Sequence, residues 1–586
     1  MDNLFPADIK GLSSDELKLL PETIRDFLIT SISQTGGHIG ANLSVIELTV
    51  ALHRVFDSPK DPIIFDTGHQ GYTHKLLTGR KDIFLTLNTF KGMSRFVSHA
   101  ESEHDTIEAS HAGTSISIGS GIAWALKEAN SDNRVIIVIG DGSMVEGMAF
   151  EGLNFASTSN LNMVIVLNDN EMAIAPSVGG MRHLTTGQNW QQKSKAFFEG
   201  LGLAYISVTD GHDINALVDA LSVAKSMTKA VLVHVKTEKG KGLPSSKTHP
   251  YKIHFSMPFD PVSGAGAAPT VIGKTFASEA AEQLLELMRS DPGIVVITPA
   301  TPYASYLQNL ATEFPHRVID VGMAEQQAVG MACGLALRGM KPVVCMQTTF
   351  MQRAFDQLLH DVCFMNLPVT ILGVRSGFAG YDSPTHHGIY DIPYLRSFPN
   401  MRLIYPYSTQ DIRSELSNRL VNPTGPMVIL HPYEVISGDE IDISKSGATG
   451  LAMLDEGDAG VIFFLSNAMG VAKTLHETLR ISFGSAFRLC CVKDIKPAPT
   501  EAIANICKAT SRIICIEEGT LPGGFGSMIG EILLDRQISA SLLRLGIPDI
   551  FVPAGNKQEC LSCSEMSNQD LLNRVTSFWP DICQYG

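Results

Sequence analysis

Short runs of aliphatic and β-branched residues recur along this chain, each followed by a turn rich in Gly, Asp or Asn and then by a longer amphipathic stretch. Nine are clear: 134–140 (RVIIVIG), 162–168 (NMVIVLN), 230–236, 293–298, 342–347, 368–374, 426–430, 460–465 and 512–516. Continuous apolar runs of this length are what strands buried on both faces require, and a dozen or more residues of helix usually joins strands that run parallel. The alternation therefore predicts an α/β protein. Two weak points divide it. Residues 258–271 (PFDPVSGAGAAPTV) are rich in Gly, Ala and Pro and read as a linker. Residues 434–458 lose the strand pattern and gain charge, and read as a second crossing. With 586 residues, the prediction is three doubly wound parallel-sheet domains, at 1–262, 272–436 and 455–586.

Charge narrows the function classes. Forty-five basic against 60 acidic side chains give a formal −15, with 44% hydrophobic residues. Such a chain buries a large core, unlike a disordered one, and lacks the basic balance of a general nucleic-acid binder. Binding to an anionic membrane surface is disfavoured, although a local positive pocket for a phosphorylated substrate stays open. The opening MDNLFPADIKGLSSDELKLL has acids among its apolar residues, so no signal peptide is expected. The charge-free stretches 112–126, 152–168 and 459–472 are short or broken by Ser, Asn and Gly, so no membrane span is expected. All ten cysteines follow residue 332, and Cys490 and Cys491 are adjacent in an apolar run, as buried thiols of a reducing compartment are. Cys560 and Cys563 form a CxxC without a second pair, which argues against zinc. The expected location is the cytoplasm.

The chemistry concentrates at strand ends. Gly140-Asp141-Gly142 closes the first run, and a helical segment follows; the second run ends at Asn168-Asp169-Asn170. Asp141 and Asn170 are 29 positions apart (170 − 141), about one β-α-β unit. Two such strands lying side by side would bring both polar termini to one carboxyl edge, where open α/β sheets bind ligands. The Asp141 carboxylate, the Asn170 amide oxygen and a backbone carbonyl near Met172 can then hold a hard cation such as Mg²⁺ against a diphosphate. Gly142 allows close backbone approach, and the helix start beyond it favours the anion. Gly-Asp-Gly alone is an ordinary turn; followed at this distance by Asn-Asp-Asn, it resembles the pattern of thiamine diphosphate enzymes. Those enzymes need a buried carboxyl group of raised pKa against the cofactor's pyrimidine ring. Glu325 is the only acid in 321–353 and lies at a strand-to-helix junction, where the helix dipole alone would also favour it. Phe350 can stack on the pyrimidine, and Ile174 can wedge the two cofactor rings apart; both also suit a plain core.

With both ends in place, the chain resembles the transketolase superfamily and, within it, the 1-deoxy-D-xylulose-5-phosphate synthase family. The likeness runs from about residue 35 onward. It is carried by Gly37-His38, by DTGHQGYTHK (66–75), SHAGTS (110–115), GDGSMVEGMAFEGLN and LNDNEMAI, and by AEQQAV, TTFMQRAFDQLLHDV and YDSPTHHGIYDIPYLRSFPN. The resemblance implies domains of transketolase type, the first binding diphosphate and the second the pyrimidine, with a C-terminal dimerisation module, within a homodimer. It implies that His69, Ser110, His111, Ala112, Gly140 and Ser143 line the cofactor beside Asp141, Gly142, Asn170, Met172, Ile174, Glu325, Phe350 and Arg353. His38, His69 and His386 become proton donors or orienters around the reacting two-carbon unit, which suits imidazole. Asp382 would position the acceptor aldehyde, with Arg353 and Arg375 on the acceptor and its phosphate, as Arg forks suit phosphate oxygens. His74, His104 and His387 are read as structural.

The implied reaction is decarboxylation of pyruvate and transfer of its two-carbon remainder to an aldehyde, glyceraldehyde 3-phosphate in the family, giving a 1-deoxyketose for isoprenoid biosynthesis. Three departures bear on the acceptor. Where the family has Tyr-Pro-Arg-Gly after a late strand, this chain reads His431-Pro432-Tyr433-Glu434, which puts Tyr433 at the second phosphate-binding Arg. Gln347 replaces a usual Tyr, and the loop after Met172 is shorter. One lost Arg–phosphate bond is worth roughly 1.5–3 kcal/mol, so an unphosphorylated aldehyde is a serious alternative. The rival readings are ketol transfer between sugar phosphates, a 2-oxoacid dehydrogenase passing its acyl group to a lipoyl arm, and a non-catalytic cofactor binder.

Overall fold

All nine apolar runs are strands in the computed structural model, which describes residues 3–267, 273–436, 440–441 and 450–585. Among the described residues, seventeen strands form three sheets. The first holds β1 (Ile63–Phe65), β2 (Val135–Gly140), β3 (Met163–Asp169), β4 (Ala204–Val208) and β5 (Val231–Lys236), in the order β1-β2-β3-β5-β4 and parallel throughout. Its strands are unbroken apolar runs because both faces are covered. Ile136, Val138, Val164 and Val166 pack into one core with the helices Ser14–Thr35, Ile46–Val55 and Ile214–Ser226. Ile137, Ile139, Ile165 and Leu167, pointing the other way, pack with Ser115–Glu128 and Gly147–Ala156.

The second sheet holds β6 (Ile294–Thr298), β7 (Val318–Asp320), β8 (Lys341–Gln347), β9 (Thr370–Val374), β10 (Arg402–Ile404) and β11 (Met427–His431), all parallel. The third holds β12 (Leu451–Asp455), β13 (Gly460–Phe464), β14 (Phe487–Val492), β16 (Arg512–Thr520) and β17 (Ser541–Ile547). One short strand between them in sequence, β15 (Asp494–Lys496), leaves the third sheet's territory and pairs antiparallel with β10 at the edge of the second. The α/β class of the sequence reading is thus the observed one.

By packing, the chain divides into two units. The first runs from the N-terminus to the linker-like segment and includes Val321–Ala324; the second carries the remainder, with the second and third sheets together.

Two sequence expectations need amending. Residues 258–267 of the segment read as a linker pack onto the first unit: Phe259 is buried, and its N–H donates to the Ser33 carbonyl at 3.0 Å. Residues 268–271 lie outside the described residues. The stretch 434–458, read as patternless, contains β12, which pairs antiparallel with β14; residues 437–439 and 442–449 lie outside the described residues. A five-residue edge strand ending in Asp455 carries too little apolar signal to stand out. Nine cysteines, Cys560 and Cys563 included, are free thiols, and among the described residues no helix is long and apolar enough to cross a membrane.

Candidate active site

The predicted strand ends do meet. Gly140 lies opposite Asn168 in the β2–β3 ladder, and the Asp141 N–H continues it to the Asn168 carbonyl at 3.1 Å. Asp141 is buried. Ser177 Oγ donates to its Oδ2 at 2.5 Å, while Oδ1 has no hydrogen-bond partner. Burial, then the nearby Asp169 charge, push its carboxyl up to about 6, against the pull of Ser177. The Asn170 side-chain oxygen accepts the Met172 N–H at 3.2 Å, so two of the three predicted metal ligands share one turn, and the Asn170 backbone N–H bonds to the third, Asp141. A side chain at Gly142 would meet Ala173 Cβ at 2.6 Å, which holds this glycine to the loop that carries Met172 and Ile174. The middle residue of Asn-Asp-Asn has a different task. Asp169 is fully buried between His234 Nε2 (2.8 Å) and Lys236 Nζ (3.0 Å), and the His234 hydrogen bond and the Lys236 charge hold its carboxyl down in spite of burial.

Beside this turn lies a residue that sequence reasoning missed. Lys239 follows β5, whose end lies at the same edge because Asp169 and Lys236 are ladder partners. It is 5% exposed, and its ammonium donates to the Ala173 carbonyl at 2.5 Å. Burial pulls its pKa down to about 7, and the Asp141 carboxylate opposes the shift. In the sequence KGKG it looks like one more solvated lysine; its place just past a buried strand was the available clue.

Three imidazoles gather near the same edge. His38 and His69 have ring centroids 5.4 Å apart, and His254 lies 5.5 Å from the first and 5.2 Å from the second. Phe96 and Phe255 wall the group, each within 5.4 Å of His38. Burial drives the His69 imidazole down to about 3, and that of His254 well below the usual range, with Lys239 adding to both. Both are therefore neutral at physiological pH. Their backbones are fixed by Asn42, whose amide nitrogen donates to the His38 and His69 carbonyls at 2.7 Å each while its oxygen accepts the Tyr72 N–H at 2.9 Å. His254 and Asn42 were not foreseen: one sits in an aperiodic segment, and the other reads as a neutral helix position. At the end of β1, Asp66 accepts the N–H groups of Gly113 (3.0 Å) and Ser115 (3.2 Å) and so fixes the loop bearing Ser110, His111 and Ala112. Ser143 is buried within 3.4 Å of the Thr67 hydroxyl. His74, read as structural, is buried against His53 (2.9 Å) and Asp105 (3.2 Å).

In the second unit, Glu325 opens the helix Glu325–Leu337 and is 5% exposed. Its Oε2 has no hydrogen-bond partner. Burial raises its pKa, and the Arg353 charge opposes the rise. The strands β8, β9 and β11 end in register, Gln347 opposite Val374 and Val374 opposite His431, so the segments beyond them emerge at one edge. Thr348 and Thr349 donate to the Arg375 and Thr385 carbonyls (3.2 and 2.6 Å), tying the turn that bears Phe350 to the loop that bears His386. The two rings meet edge to face at 5.4 Å, and Ser383 Oγ bonds His386 Nδ1 at 2.7 Å. Arg375 pairs with Asp382 at 2.8 Å and stacks under the Tyr433 ring, 4.0 Å from its centroid. His387 accepts the Ala379 N–H at 3.0 Å, a structural role as expected.

The 1-deoxy-D-xylulose-5-phosphate synthase profile matches residues 3–196 and 184–237; "transketolase, pyrimidine binding domain" matches 274–435, and "transketolase, C-terminal domain" matches 456–570. The chain is 38% identical to 1-deoxy-D-xylulose-5-phosphate synthase 2 of Geobacter sulfurreducens, covering 97% of both chains. It is 37% identical to the synthase of Carboxydothermus hydrogenoformans, again over 97% of both. Among solved structures it is similar to transketolase from Campylobacter jejuni subsp. jejuni, at 16% identity over 97% of this chain and 100% of that one, with a TM-score of 0.45.

Proposed function

This chain belongs to the 1-deoxy-D-xylulose-5-phosphate synthase family, and from that premise we propose that it is a thiamine diphosphate- and Mg²⁺-dependent transferase that joins the two-carbon remainder of pyruvate to an aldehyde. In balance, the C1–C2 bond of pyruvate breaks and CO₂ leaves. A new carbon–carbon bond forms to the aldehyde carbon, and the aldehyde oxygen takes up one proton, giving a 1-deoxyketose. Bound thiamine diphosphate supplies the carbon nucleophile and electron sink that this exchange needs.

The residues fit that cofactor. Glu325 carries the proposal: a buried carboxyl group with one oxygen unpartnered and its pKa raised by burial is suited to a hydrogen bond with a ring nitrogen. The unpartnered Asp141 Oδ1, with Asn170 and the Met172 backbone, makes an oxygen donor set suited to Mg²⁺. Lys239 adds the cation that a diphosphate beside them favours. Ser110, His111, Ala112, Gly140, Gly142, Ser143, Ile174, Phe350 and Arg353 complete the proposed lining. His38, His69 and His254 can hand protons to and from oxygens of the reacting unit, the last two as neutral imidazoles, and His386, oriented by Ser383, is proposed for the same work. Pyruvate and an aldehyde are the proposed substrates. A cytoplasmic homodimer with domains at 1–262, 272–436 and 455–586 is the proposed setting.

The test is incubation with pyruvate, thiamine diphosphate, Mg²⁺ and a panel of aldehydes, following CO₂ and the condensed product. Ketose phosphate cleavage without CO₂ would favour ketol transfer instead. Glu325→Ala is expected to bind the cofactor yet lose turnover by about 10²–10⁴-fold; activity near wild type would remove Glu325 from the mechanism.

A further inference from the structure

The chain leaves the Asn170 turn through Glu171, whose backbone is left-handed at φ +64°. A non-glycine residue holds that conformation only where its surroundings impose it. Here they are specific. The Glu171 N–H donates to Asp169 Oδ1 at 3.1 Å, and its carbonyl accepts the Ser177 N–H at 3.0 Å. Met172 and Pro176 form an antiparallel bridge, so residues 171–177 double back on themselves. The fold-back returns Ser177 to the metal turn. Its side chain is 7% exposed, and Oγ donates to Asp141 Oδ2 at 2.5 Å. In the sequence, Ser177 beside Pro176 reads as an ordinary turn residue.

The segment that delivers this serine is fastened at both ends by one cation. The Lys236 ammonium reaches Asp169 Oδ2 at 3.0 Å and Glu171 Oε1 at 2.9 Å, where the segment begins. It also donates to the Thr185 carbonyl at 3.1 Å, where the short helix Gly179–Thr185 ends. Trp190 covers the same ammonium, with its ring centroid 5.5 Å away, and packs edge-on against His234 at 4.6 Å. Arg182 Nη1 donates to the Ser177 carbonyl at 3.3 Å and so braces the serine from within the segment. All of these contacts are made by the chain itself, so the segment is organised ahead of any cation.

A carboxylate that ligates a metal holds it better when a hydrogen-bond donor on its other oxygen stops it from turning away. Ser177 does this for Asp141: Oδ2 is occupied by the hydroxyl, and Oδ1 is left without a partner. We propose, on the strength of the Mg²⁺-dependent reading above, that Ser177 is a positioning residue for the cation. Its hydroxyl fixes the Asp141 carboxylate by Oδ2 and leaves Oδ1 for the metal, while the Lys236 ion pairs hold the segment that carries Ser177.

The full chain, at a fixed excess of thiamine diphosphate, is titrated with Mg²⁺ by calorimetry. In Ser177→Ala the Mg²⁺ dissociation constant should rise by about 10–100-fold, and in Ser177→Thr, which keeps the hydroxyl, it should stay near the wild-type value. At saturating Mg²⁺, Ser177→Ala should regain most of its pyruvate-dependent CO₂ release, a recovery that a general packing defect would not give. Lys236→Met should raise amide hydrogen exchange across residues 173–186 in the protein without added cofactor, and Lys236→Arg should restore protection. A Ser177→Ala protein with wild-type circular dichroism and an unmoved Mg²⁺ dissociation constant overturns the proposal. So does exchange across 173–186 that Lys236→Met leaves unchanged. If Asp141→Ala also binds Mg²⁺ as the wild type does, the parent metal assignment fails instead, which separates the two failures.

Discussion

Two buried charged corners of this molecule treat their charges differently. At the first sheet's edge, Asp141 keeps one carboxylate oxygen unpartnered and has a carboxyl pushed up to about 6, beside a lysine pulled down to about 7. At the second sheet's edge, Arg375 receives its counter-charge from Asp382 at 2.8 Å and a covering ring from Tyr433. Buried polar atoms without partners are expensive and rare, so a corner that keeps one is shaped for something that arrives later. The second corner leaves the Arg375 Nε and the Gln347 amide oxygen unpartnered as well, but its cation already has a carboxylate beside it. The contrast is between a corner whose carboxylate lacks a close cationic partner and one whose cation is already paired.

That contrast can be broken experimentally. The largest effect should come from Asp141→Ala. Outer partners of metal ligands alone are worth about 10–100-fold in metal affinity, so loss of the ligand should weaken Mg²⁺-dependent thiamine diphosphate binding by more than about a hundredfold; titration calorimetry at fixed Mg²⁺ reads it. Unchanged binding would place the diphosphate elsewhere. Asp382→Asn frees the Arg375 charge without touching Tyr433. It should raise kcat/KM for D-glyceraldehyde 3-phosphate relative to D-glyceraldehyde by about tenfold, and a shift the other way would show that Asp382 does not offset the guanidinium. The smallest effect concerns stability. Glu517 is buried, its carboxylate accepts the Phe525 and Gly526 N–H groups at 2.6 and 2.8 Å, and burial raises it from 4.5 to about 7. Because the folded pKa is the higher one, its contribution to stability is full below about 4.5 and fades as pH climbs through about 7. Thermal midpoints should therefore fall between pH 5 and 8, and Glu517→Gln should flatten that fall; equal slopes would dismiss the assignment.

The parts of this protein that were legible in the sequence are those set by local pattern. Doubly covered strands need unbroken apolar runs, so 134–140 and 162–168 declared both the sheet and, by their ends, Asp141 and Asn170. Glu325 was visible as a single acid in a stretch without others. Residues whose meaning depends on distant partners were not. Asn42 matters through carbonyls at positions 38 and 69, and His254 through rings more than 180 residues upstream; neither shows periodicity. Tyr433 was identified as a departure, but its stacking on Arg375 requires two strand ends to be neighbours, which no local pattern encodes. Short edge strands such as β12 and β15 escaped because three to five residues cannot outvote charged surroundings.

The crossing of β15 into the sheet of β10 makes the C-terminal sheet a poor candidate for removal. A gene shortened near residue 450 would strip that sheet of its outer ribbon and leave the β10 backbone amides bare, a template for sticking to other chains. It would also discard Lys493, which reaches Asp411 at 3.2 Å and Glu415 at 2.8 Å. Shuffling experiments that swap this tail between relatives should move their joint to a loop that keeps β15 with β10, and not to the apparent gap between the two sheets.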